Sequence, residues 1–443
     1  MVDIDSIDTT IESLGEPRIL SPLQETGSRA MEWNFMSDSE RTLVDVTAES
    51  VKKYIKEKKE EPPSFELAGP RRKIYFDPSK VRCALVTCGG LCPGLNDVIR
   101  AIVLELYYRY GVRNIYGIRY GLEGFIPEFG HDVVNLTPDI VRDILNMGGS
   151  ILSSARGPQD IEAIVDSLER MNIGILFMIG GDGTLQAAIK IRDVITERNL
   201  KISVIGIPKT IDNDIYLTSR TFGFETAVNV ATVAIKSAHN EANGYWNGIG
   251  LVKLMGRHSG FVAASAALAE QNVNFVLIPE VDFDLEGEHG LLRTLEQRLE
   301  RSRHAVIVVA EGAGQKFFKD IDLGMDPSGN VKLKEIGLFL KEKITSYFAA
   351  KKIGIPLKYI DPSYMIRSLP ANASDSLFCS FLGRDAVHAG MAGKTNLMVG
   401  WWNNNYVHIP MTASVGKRKQ VDTRGKLWLS VLESTGQPSM KNG

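Results

Sequence analysis

The chain has 443 residues, of which 44% are hydrophobic and 23% charged, and its formal net charge at pH 7 is −2. This length predicts two or more lobes. The acidic and basic residues are evenly mixed, so no excess of positive charge indicates binding to nucleic acid or to an anionic membrane. No run approaches the ~20 apolar residues of a membrane span, and the acidic, polar N-terminus lacks the pattern of a secretory signal or transit peptide. We therefore expect a cytoplasmic protein with no nucleic-acid or membrane partner.

Residues 1–78 are predicted to be an N-terminal extension. A helix is predicted over 42–61; it ends in the charged run 56–61, and Pro62 and Pro63 stop it. A solvated helix with an extended arm is one interpretation. A regulatory or subunit-contact arm is the alternative, for which the sequence offers no motif.

The first clear strand of the α/β part is predicted over 81–87. Gly89 and Gly90 follow it, and a helix is predicted over 97–110. A strand, a glycine turn and a helix together present backbone N–H groups and a helix N-terminus to phosphate. A second strand is predicted over 114–119.

A later loop, 148–157, is rich in small polar residues and ends in Arg156 and Gly157. An arginine beside a glycine suits a phosphate or nucleotide contact. A plain loop with a solvated arginine fits the sequence equally well.

The central motif is Gly-Gly-Asp-Gly-Thr at 180–184, between a predicted buried strand at 173–179 and a predicted helix at 185–198. Asp182 inside this loop would repel a bare phosphate. A Mg²⁺ ion between carboxylate and phosphate removes that conflict. A helix-capping Asp in a tight turn is the alternative interpretation.

A second polar segment, Pro-Lys-Thr-Ile-Asp-Asn-Asp at 208–214, follows the predicted strand 202–207. Asp212 and Asp214 lie two residues apart, so they face the same side of an extended segment. A carboxylate beside a phosphate site can take a proton from an attacking hydroxyl. A polar loop with Asx turns is the alternative. Since both segments leave the carboxyl ends of predicted parallel strands, where open α/β sheets bind ligands, the catalytic interpretation is favoured.

In the second half of the chain, the sequence predicts further strands that end in polar residues. The strand 249–254 leads into a glycine turn carrying Arg257, a candidate anion clamp, and the strand 304–310 ends at Glu311, which is placed to meet a ligand hydroxyl. Tyr364 and Arg367, three residues apart, are expected to point at one ligand. The remaining predicted elements are helices at 221–243, 261–269, 334–351 and 372–392, a loop at 322–332 and a strand at 396–401.

The motifs, taken together, resemble those of the 6-phosphofructokinases. The shared segments are Gly-Gly at 89–90, Pro-Gly-Leu-Asn at 93–96, Gly-Gly-Asp-Gly-Thr at 180–184, Pro-Lys-Thr-Ile-Asp-Asn-Asp at 208–214 and Met-Gly-Arg at 255–257. They occur in the family's order and spacing over roughly 79–405. The segment 359–367 and the long N-terminal arm are similar to the ATP-dependent branch found in plants, trypanosomatids and some bacteria.

The resemblance implies an α/β fold with two Rossmann-like lobes, mainly parallel sheets flanked by helices, and an active site in the cleft between them. It implies an ATP-binding lobe at 79–222 with 371–415, a fructose 6-phosphate lobe at 223–370, the N-terminal extension 1–78 and a C-terminal tail at 416–443. It also implies an allosteric homo-oligomer, with a tetramer favoured over a dimer.

The family's functional residues carry over position by position. ATP is implied to bind Gly90, Arg156, Gly157, Gly181, Asp182, Gly183 and Thr184. Asp182 is implied to hold Mg²⁺, and Asp212 to be the base that activates the sugar 1-hydroxyl. Fructose 6-phosphate is implied to bind Thr210, Ile211, Asp212, Met255, Gly256, Arg257, Glu311, Tyr364, Met365, Ile366 and Arg367.

Two positions bear on the phosphoryl donor. Pyrophosphate-dependent members carry Asp where this chain has Gly183, and that carboxylate would occupy and repel the α-phosphate of ATP. Lys209 is the residue type of the pyrophosphate enzymes, but the pair Gly183 and Lys209 is similar to the ATP-dependent branch. We therefore expect ATP as the donor. Gly248 stands where typical bacterial ATP enzymes have an intersubunit Arg, so the resemblance does not by itself imply their ADP- or phosphoenolpyruvate-type control.

Two alternatives remain at this point. One is a pyrophosphate-dependent, reversible fructose 6-phosphate 1-phosphotransferase. The other is a non-catalytic nucleotide-binding regulator, whose sign would be the loss of Asp182 or Asp212, and both are present.

Overall fold

The computed structural model describes residues 7–24, 35–58, 61–318, 324–325 and 331–442. Parts of two predicted features, the charged run 56–61 and the loop 322–332, lie outside these residues. The strands are β1 (Glu12–Ser13), β2 (Ile19–Leu20), β3 (Arg41–Leu43), β4 (Ser64–Leu67), β5 (Lys73–Ile74), β6 (Arg82–Thr87), β7 (Asn114–Ile118), β8 (Val133–Asn135), β9 (Ile175–Gly180), β10 (Ser203–Pro208), β11 (Gly248–Leu254), β12 (Phe275–Leu277), β13 (His304–Ala310), β14 (Leu357–Ile360), β15 (Lys394–Thr395), β16 (Leu397–Trp402) and β17 (Asn405–Pro410).

The α-helices alternate with these strands through most of the chain. They are α1 (Ala48–Lys53), α2 (Leu95–Leu104), α3 (Ile161–Arg170), α4 (Asp182–Glu197), α5 (Phe224–Asn243), α6 (Phe261–Glu270), α7 (Leu291–Ser302), α8 (Ile336–Ala350), α9 (Ser363–Ser368), α10 (Ala373–Met391), α11 (Met411–Ser414) and α12 (Lys426–Thr435). None of the described helices has the length and apolar character needed to cross a bilayer.

The described residues form two compact units. The first contains 1–210, 215–223 and 369–417, and the second contains 211–214, 224–368 and 418–443. The lobe boundaries expected from the sequence stay predictions.

The first unit is built on a nine-stranded sheet with the order β3-β4-β17-β16-β10-β9-β6-β7-β8. Strands β16, β10, β9, β6 and β7 run parallel. Every residue of β9 and β10 is buried, which explains why both read as continuous apolar runs without alternation. Parallel strands share one carboxyl edge, so the loops after β6, β9 and β10 start side by side.

The N-terminal residues add strands to this unit. β4 pairs with β17 and β3 pairs with β4, both antiparallel, while β1 pairs with β15. Phe65 on β4 is fully buried, and the indole N–H of Trp402 donates to the carbonyl of Val44 at 2.8 Å. The helix predicted over 42–61 is wrong at its start, because 41–43 form a strand and α1 begins only after the cap Thr47.

The second unit is built on a four-stranded parallel sheet with the order β12-β13-β11-β14. Its core packs apolar residues of α7, α8, β11 and β13 around Phe283 and Phe348. The predicted strand 304–310 matches β13. The α/β class with mainly parallel sheets is thus confirmed. Helix α12 lies inside the segment that was expected to be a tail.

Candidate active site

The central glycine motif joins β9 to α4 without an intervening loop. Gly180 is the last residue of β9, Gly181 precedes the helix, and Asp182 is the first residue of α4. The carbonyl of Gly181 accepts the N–H of Thr184 at 2.9 Å and that of Leu185 at 3.0 Å. The helix therefore starts three residues earlier than predicted, and the motif forms its first turn, where N–H groups attract anions.

Two glycines of this motif have different surroundings. A Cβ atom on Gly180 would lie 2.2 Å from Oγ1 of Thr184, so packing excludes a side chain there. A Cβ atom on Gly183 would meet nothing within 4 Å. Gly180 is thus required by the fold, whereas Gly183 leaves open space that the fold itself does not need.

Lys209 extends from the end of β10 to the first glycine loop. Its backbone N–H donates to the carbonyl of Gly180 at 2.9 Å, and its Nζ donates to the carbonyl of Gly90 at 2.7 Å. A Cβ atom on Gly89, where φ is +83°, would lie 3.3 Å from that Nζ. Burial raises the pKa of the Cys88 thiol to about 12, and the Lys209 charge opposes this rise. Lys209 therefore links the two glycine loops, with its buried side chain on the first and its backbone on the second.

The loop 148–157 lies against the first glycine loop. The hydroxyl of Ser154 donates to the carbonyl of Gly89 at 2.6 Å, and the N–H of Gly89 donates to the carbonyl of Ala155 at 3.3 Å. Arg156 is exposed and Gly157 has a φ of +110°. The predicted nucleotide contacts Gly90, Arg156 and Gly157 are thus brought to one side of the first unit.

Asp182 presents a half-buried carboxylate at this edge. Its Oδ2 accepts the side-chain amide of Gln186 at 2.9 Å, and its Oδ1 accepts the N–H of Gly416 at 3.3 Å. Across the described part of the chain, no group of three or more His, Cys, Asp or Glu residues is arranged to hold a metal ion. A single oriented carboxylate suits a cation that takes its other ligands from substrate phosphates and water.

The second unit gathers carboxylates and arginines at the carboxyl ends of β11 and β13. The N–H of Glu311 donates to the carbonyl of Leu254 at 2.9 Å, and that of Gly312 donates to the carbonyl of Gly256 at 3.1 Å. A Cβ atom on Gly312 would lie 2.0 Å from the carbonyl oxygen of Arg257. This close backbone contact fixes the turns that carry Arg257 and Glu311 side by side.

Asp212 lies within this group. Burial, the negative charge of Asp214 and that of Glu311 raise its pKa to about 7, while the backbone N–H of Arg257 and the charge of Arg367 oppose the rise. The residue keeps a partly exposed surface, although protein atoms enclose its carboxyl group. Perturbed carboxylates of this kind are frequent at functional sites.

Glu311 belongs to the same electrostatic cluster. Burial raises its pKa, and the positive charges of Arg257, Lys253 and Arg367 act against that effect. Arg257 also donates from Nη1 to the carbonyl of Val331 at 2.7 Å. The predicted anion clamp thus sits beside the predicted base and the predicted hydroxyl partner.

Helix α9 carries four of the predicted sugar-binding residues, and they differ in exposure. Arg367 has a buried Nε for which the described residues provide no hydrogen-bond partner. Tyr364 is 81% exposed and Met365 66% exposed, whereas Ile366 is fully buried. The structure brings Arg367 to the carboxylates and leaves Tyr364 and Met365 at the surface.

The other predicted sugar contacts lie in the interior. Ile211 and Met255 are buried, and the carbonyl of Thr210 accepts the hydroxyl of Thr221 at 2.7 Å. Gly256 has a φ of +129°, and a Cβ atom there would lie 2.4 Å from the carbonyl oxygen of Ser259, so glycine is needed at this turn.

Sequence reasoning missed two residues that contact the Asp212 segment. Arg418 donates from Nη1 to Oδ2 of Asp214 at 2.8 Å, and Lys419 donates from Nζ to Oδ1 of Asn213 at 3.0 Å. Both are more than two hundred positions away along the chain. Their only sequence signal is the basic run 417–419, which is ordinary for a solvated surface.

Glycine loops at the ends of buried parallel strands and a cluster of buried carboxylates with arginines are typical of α/β proteins that bind phosphorylated ligands. A family model described as Phosphofructokinase matches residues 82–390. The chain therefore belongs to the phosphofructokinase family, and the resemblance inferred from its motifs is confirmed.

Curated relatives match along nearly the whole chain. One is an ATP-dependent 6-phosphofructokinase of Borreliella burgdorferi, 51% identical, with 99% of each chain covered. Another is an ATP-dependent 6-phosphofructokinase of Amycolatopsis methanolica, 47% identical, with 98% of this chain and 95% of the relative covered. ATP-dependent 6-phosphofructokinase 1 of Arabidopsis thaliana is 47% identical over 85% of this chain and 79% of its own.

Solved structures share the fold at lower identity. A pyrophosphate-dependent phosphofructokinase from Marinobacter aquaeolei has a TM-score of 0.66 at 19% identity and covers 81% of this chain and 92% of its own. A Pichia pastoris phosphofructokinase in the T-state has a TM-score of 0.62 at 22% identity over 76% of this chain. This chain spans 35% of the Pichia chain. These identities support the fold alone.

Proposed function

We propose that this protein is an ATP-dependent 6-phosphofructokinase, which transfers the γ-phosphate of ATP to the 1-hydroxyl of fructose 6-phosphate and releases ADP and fructose 1,6-bisphosphate. The observation that carries this proposal is 51% identity over 99% of both chains with a relative of that name. A kinase of this type performs the committed phosphorylation of glycolysis.

The second unit supplies the acceptor side of the proposed reaction. Asp212 removes the proton of the sugar 1-hydroxyl as that oxygen attacks, and its raised pKa matches a base working near neutral pH. Glu311 accepts a sugar hydroxyl, and Arg257 and Arg367 supply positive charge. The buried Nε of Arg367 lacks a hydrogen-bond partner among the described residues, which supports a role in binding an anionic substrate group.

Seven further residues complete the proposed sugar site. Thr210, Ile211, Met255 and Gly256 shape its wall with their backbone and buried side chains. Tyr364 and Met365 lie at the surface of α9, and buried Ile366 anchors that helix.

The first unit supplies the donor side. Gly181, Gly183 and Thr184, in the first turn of α4, bind the ATP phosphates, while Gly90, Arg156 and Gly157 contact the nucleotide. Lys209 adds a buried cation beside Gly90. Because phosphoryl transfer needs little covalent chemistry from the protein, positioning and charge stabilisation are its main contributions.

Asp182 is the proposed Mg²⁺ residue. Its half-buried carboxylate is oriented by Gln186 and by the N–H of Gly416, and oxygen ligands of this kind suit a hard cation. When bound, Mg²⁺ would neutralise charge on the transferring phosphates.

Initial rates test the proposal. Fructose 6-phosphate and Mg²⁺ are supplied with ATP or with pyrophosphate in parallel, and product is measured by coupled assay. Turnover with ATP and not with pyrophosphate is the expected result. No turnover with ATP would refute the proposal.

A pyrophosphate-dependent, reversible enzyme is the second candidate, and Lys209 is the residue that favours it. Lys209 is the residue type of the pyrophosphate enzymes, and its Nζ donates to the carbonyl of Gly90 at the proposed donor loop. Turnover with pyrophosphate, together with a fast reverse reaction with phosphate, would establish this candidate over the ATP-dependent one.

We also infer a homotetramer in preference to a dimer, and a cytoplasmic location, from the family resemblance. Light scattering coupled to size-exclusion chromatography tests the assembly, since a mass near 196 kDa would be four times the 48.9 kDa of one chain. A monomeric mass would contradict it.

A further inference from the structure

The segment after α11 returns to the acceptor side of the second unit. The N–H of Lys419 donates to the carbonyl of Asp214 at 2.9 Å, and its Nζ donates to Oδ1 of Asn213 at 3.0 Å. Arg418 forms a 2.8 Å ion pair with Asp214, whose side chain is only 8% exposed. Two consecutive residues thus make three hydrogen bonds to the loop that carries Asp212.

The loop held in this way is conformationally constrained. Asn213 has a φ of +55°, the left-handed region that non-glycine residues occupy at a cost. On its other side, the hydroxyl of Ser259 donates to the carbonyl of Asp212 at 3.0 Å. A turn of this kind persists only when its surroundings fix it, and Lys419 bonds directly to the side chain of the left-handed residue.

The segment itself is anchored. The N–H of Val421 and that of Gly260 donate to the same carboxylate oxygen of Glu280, at 2.8 and 3.0 Å. Beyond it, helix α12 buries Trp428 and Val431, and the side-chain amide of Gln437 bonds to both backbone groups of Val276. The chain that follows the basic pair is therefore held in place by buried side chains and hydrogen bonds.

We propose that Arg418 and Lys419 are positioning residues for phosphoryl transfer: from the C-terminal segment they hold the Asp212-Asn213-Asp214 turn in its working conformation and neutralise Asp214 beside the base. This proposal rests on the proposed kinase function, and no motif of the 6-phosphofructokinases quoted above includes either residue. Neither side chain contacts the reacting atoms in this role. Arg418 acts through the Asp214 carboxylate, and Lys419 acts through the Asn213 side chain and the Asp214 backbone.

The electrostatic part of the role has a defined sign. Asp214 raises the pKa of Asp212 through its negative charge, and Arg418 is the ion-pair partner of Asp214. Loss of Arg418 leaves a buried carboxylate without that cation, so protonation of Asp212 becomes easier and its pKa rises further. The charged and titratable groups facing the Asp212–Asp214 turn are Asp214, Glu311, Arg257, His258, Arg367, Arg418 and Lys419.

The test compares four variants with the wild-type enzyme: Arg418→Ala, Arg418→Lys, Lys419→Gln and Arg424→Ala. Arg424 lies in the same segment and is exposed, and among the described residues its side chain has no hydrogen-bond partner while its backbone N–H donates to Asp422, so it controls for charge removal. Rates are measured against fructose 6-phosphate concentration from acid to alkaline pH, and thermal melting is recorded for each variant.

For Arg418→Ala we expect kcat to fall about tenfold. The acid limb of its pH profile should move up by about half to one pH unit, because losing an ion pair of moderate strength beside Asp212 shifts the pKa of Asp212 by about that much. Arg418→Lys should restore the limb because it restores the charge. Lys419→Gln should lower kcat with little change in the limb, and Arg424→Ala should match the wild type.

An unshifted acid limb and an unchanged kcat in Arg418→Ala would overturn the proposal. A loss of activity that comes with a lower melting temperature but without a shift of the acid limb would overturn it as well. If Arg418→Ala does not fold, the limb of Arg418→Lys and the kcat of Lys419→Gln decide: wild-type values in both refute the positioning role. An inactive wild-type enzyme would instead refute the kinase function, so the two failures are distinguishable.

Discussion

The two candidate substrate regions differ in the groups that form them, which are mainly backbone groups in one and side chains in the other. In the first unit, the proposed donor site consists mainly of backbone N–H groups of the first turn of α4 and the glycine loop after β6, with Lys209 beside them. In the second unit, side chains from four separate chain segments make up the proposed acceptor site, and Asp212 and Glu311 both have raised pKa values there. A site formed by backbone groups can be predicted from clustered glycines in the sequence. A site formed by side chains is harder to predict, because its residues lie far apart along the chain.

The comparison also separates two ways of tuning a phosphoryl-transfer site. Backbone dipoles are fixed by the fold and cannot be removed by one substitution. Side-chain charges can be changed one at a time, so the acceptor site should respond to substitution in graded steps and the donor site mainly to added bulk or charge. Four predictions test this contrast.

The largest effect is expected from Asp212→Ser. Removing the proposed base should lower kcat by about 10²- to 10⁴-fold while ATP binding stays close to the wild type, because the donor site is formed by other residues. Steady-state rates and direct ATP titration measure the two quantities. A variant that keeps most of its activity would contradict the assignment of Asp212.

A smaller but wide-ranging effect is expected from Gly183→Asp. The fold has open space at this position, so the variant should melt like the wild type, while repulsion of about 1 to 4 kcal/mol between charges about 4 Å apart weakens ATP binding by roughly fivefold to a thousandfold. Gly183→Asn is the matched control, with similar size and no charge. Equal losses in the two variants would show that bulk, and not charge, excludes ATP.

Next comes Arg367→Met, which removes the guanidinium whose buried Nε has no hydrogen-bond partner among the residues that the structure describes. A hydrogen bond to a charged group contributes about 1.5 to 3 kcal/mol, so the KM for fructose 6-phosphate should rise by about 10- to 150-fold with the KM for ATP little changed. Arg367→Lys should recover part of the loss. A raised KM for ATP instead would place Arg367 on the donor side.

The smallest effect is the pH dependence of the wild-type enzyme. Asp212 serves as a base only when deprotonated, and its pKa in the free enzyme is raised to about 7, so kcat/KM should fall with pH below that value, about tenfold for each unit. On the alkaline side of the same value kcat/KM should be level. An acid limb of kcat/KM near the ordinary range of an aspartate, about pH 4, would contradict the raised pKa of the base.

Much of this molecule could be predicted from the sequence. The parallel strands read as apolar runs because both of their faces are covered, and β13 matches its predicted bounds. The Gly-Gly-Asp-Gly-Thr motif was predicted as a strand-to-helix junction, although α4 starts at Asp182 itself. These features are local, and local chemistry specifies them.

What the sequence did not reveal is long-range. Glu66 on β4 and His408 on β17 are 342 positions apart, yet they face each other in neighbouring strands. The short strands of the N-terminal segment and the basic pair 418–419 carry no periodic pattern of their own. Their structure depends on partners that no local window contains, so tertiary pairing decides it.

The pairing of β4 with β17 has a consequence for how the chain is made. The hairpin β3–β4 leaves the ribosome early, but its neighbour β17 and the strand β16 that covers β10 are among the last segments to appear. At translation rates of about 5–20 residues per second, both sheet edges stay uncovered for on the order of tens of seconds. A chain whose synthesis stops before β16 would therefore have two open strand edges, and open edges of this kind readily pair with strands of other molecules.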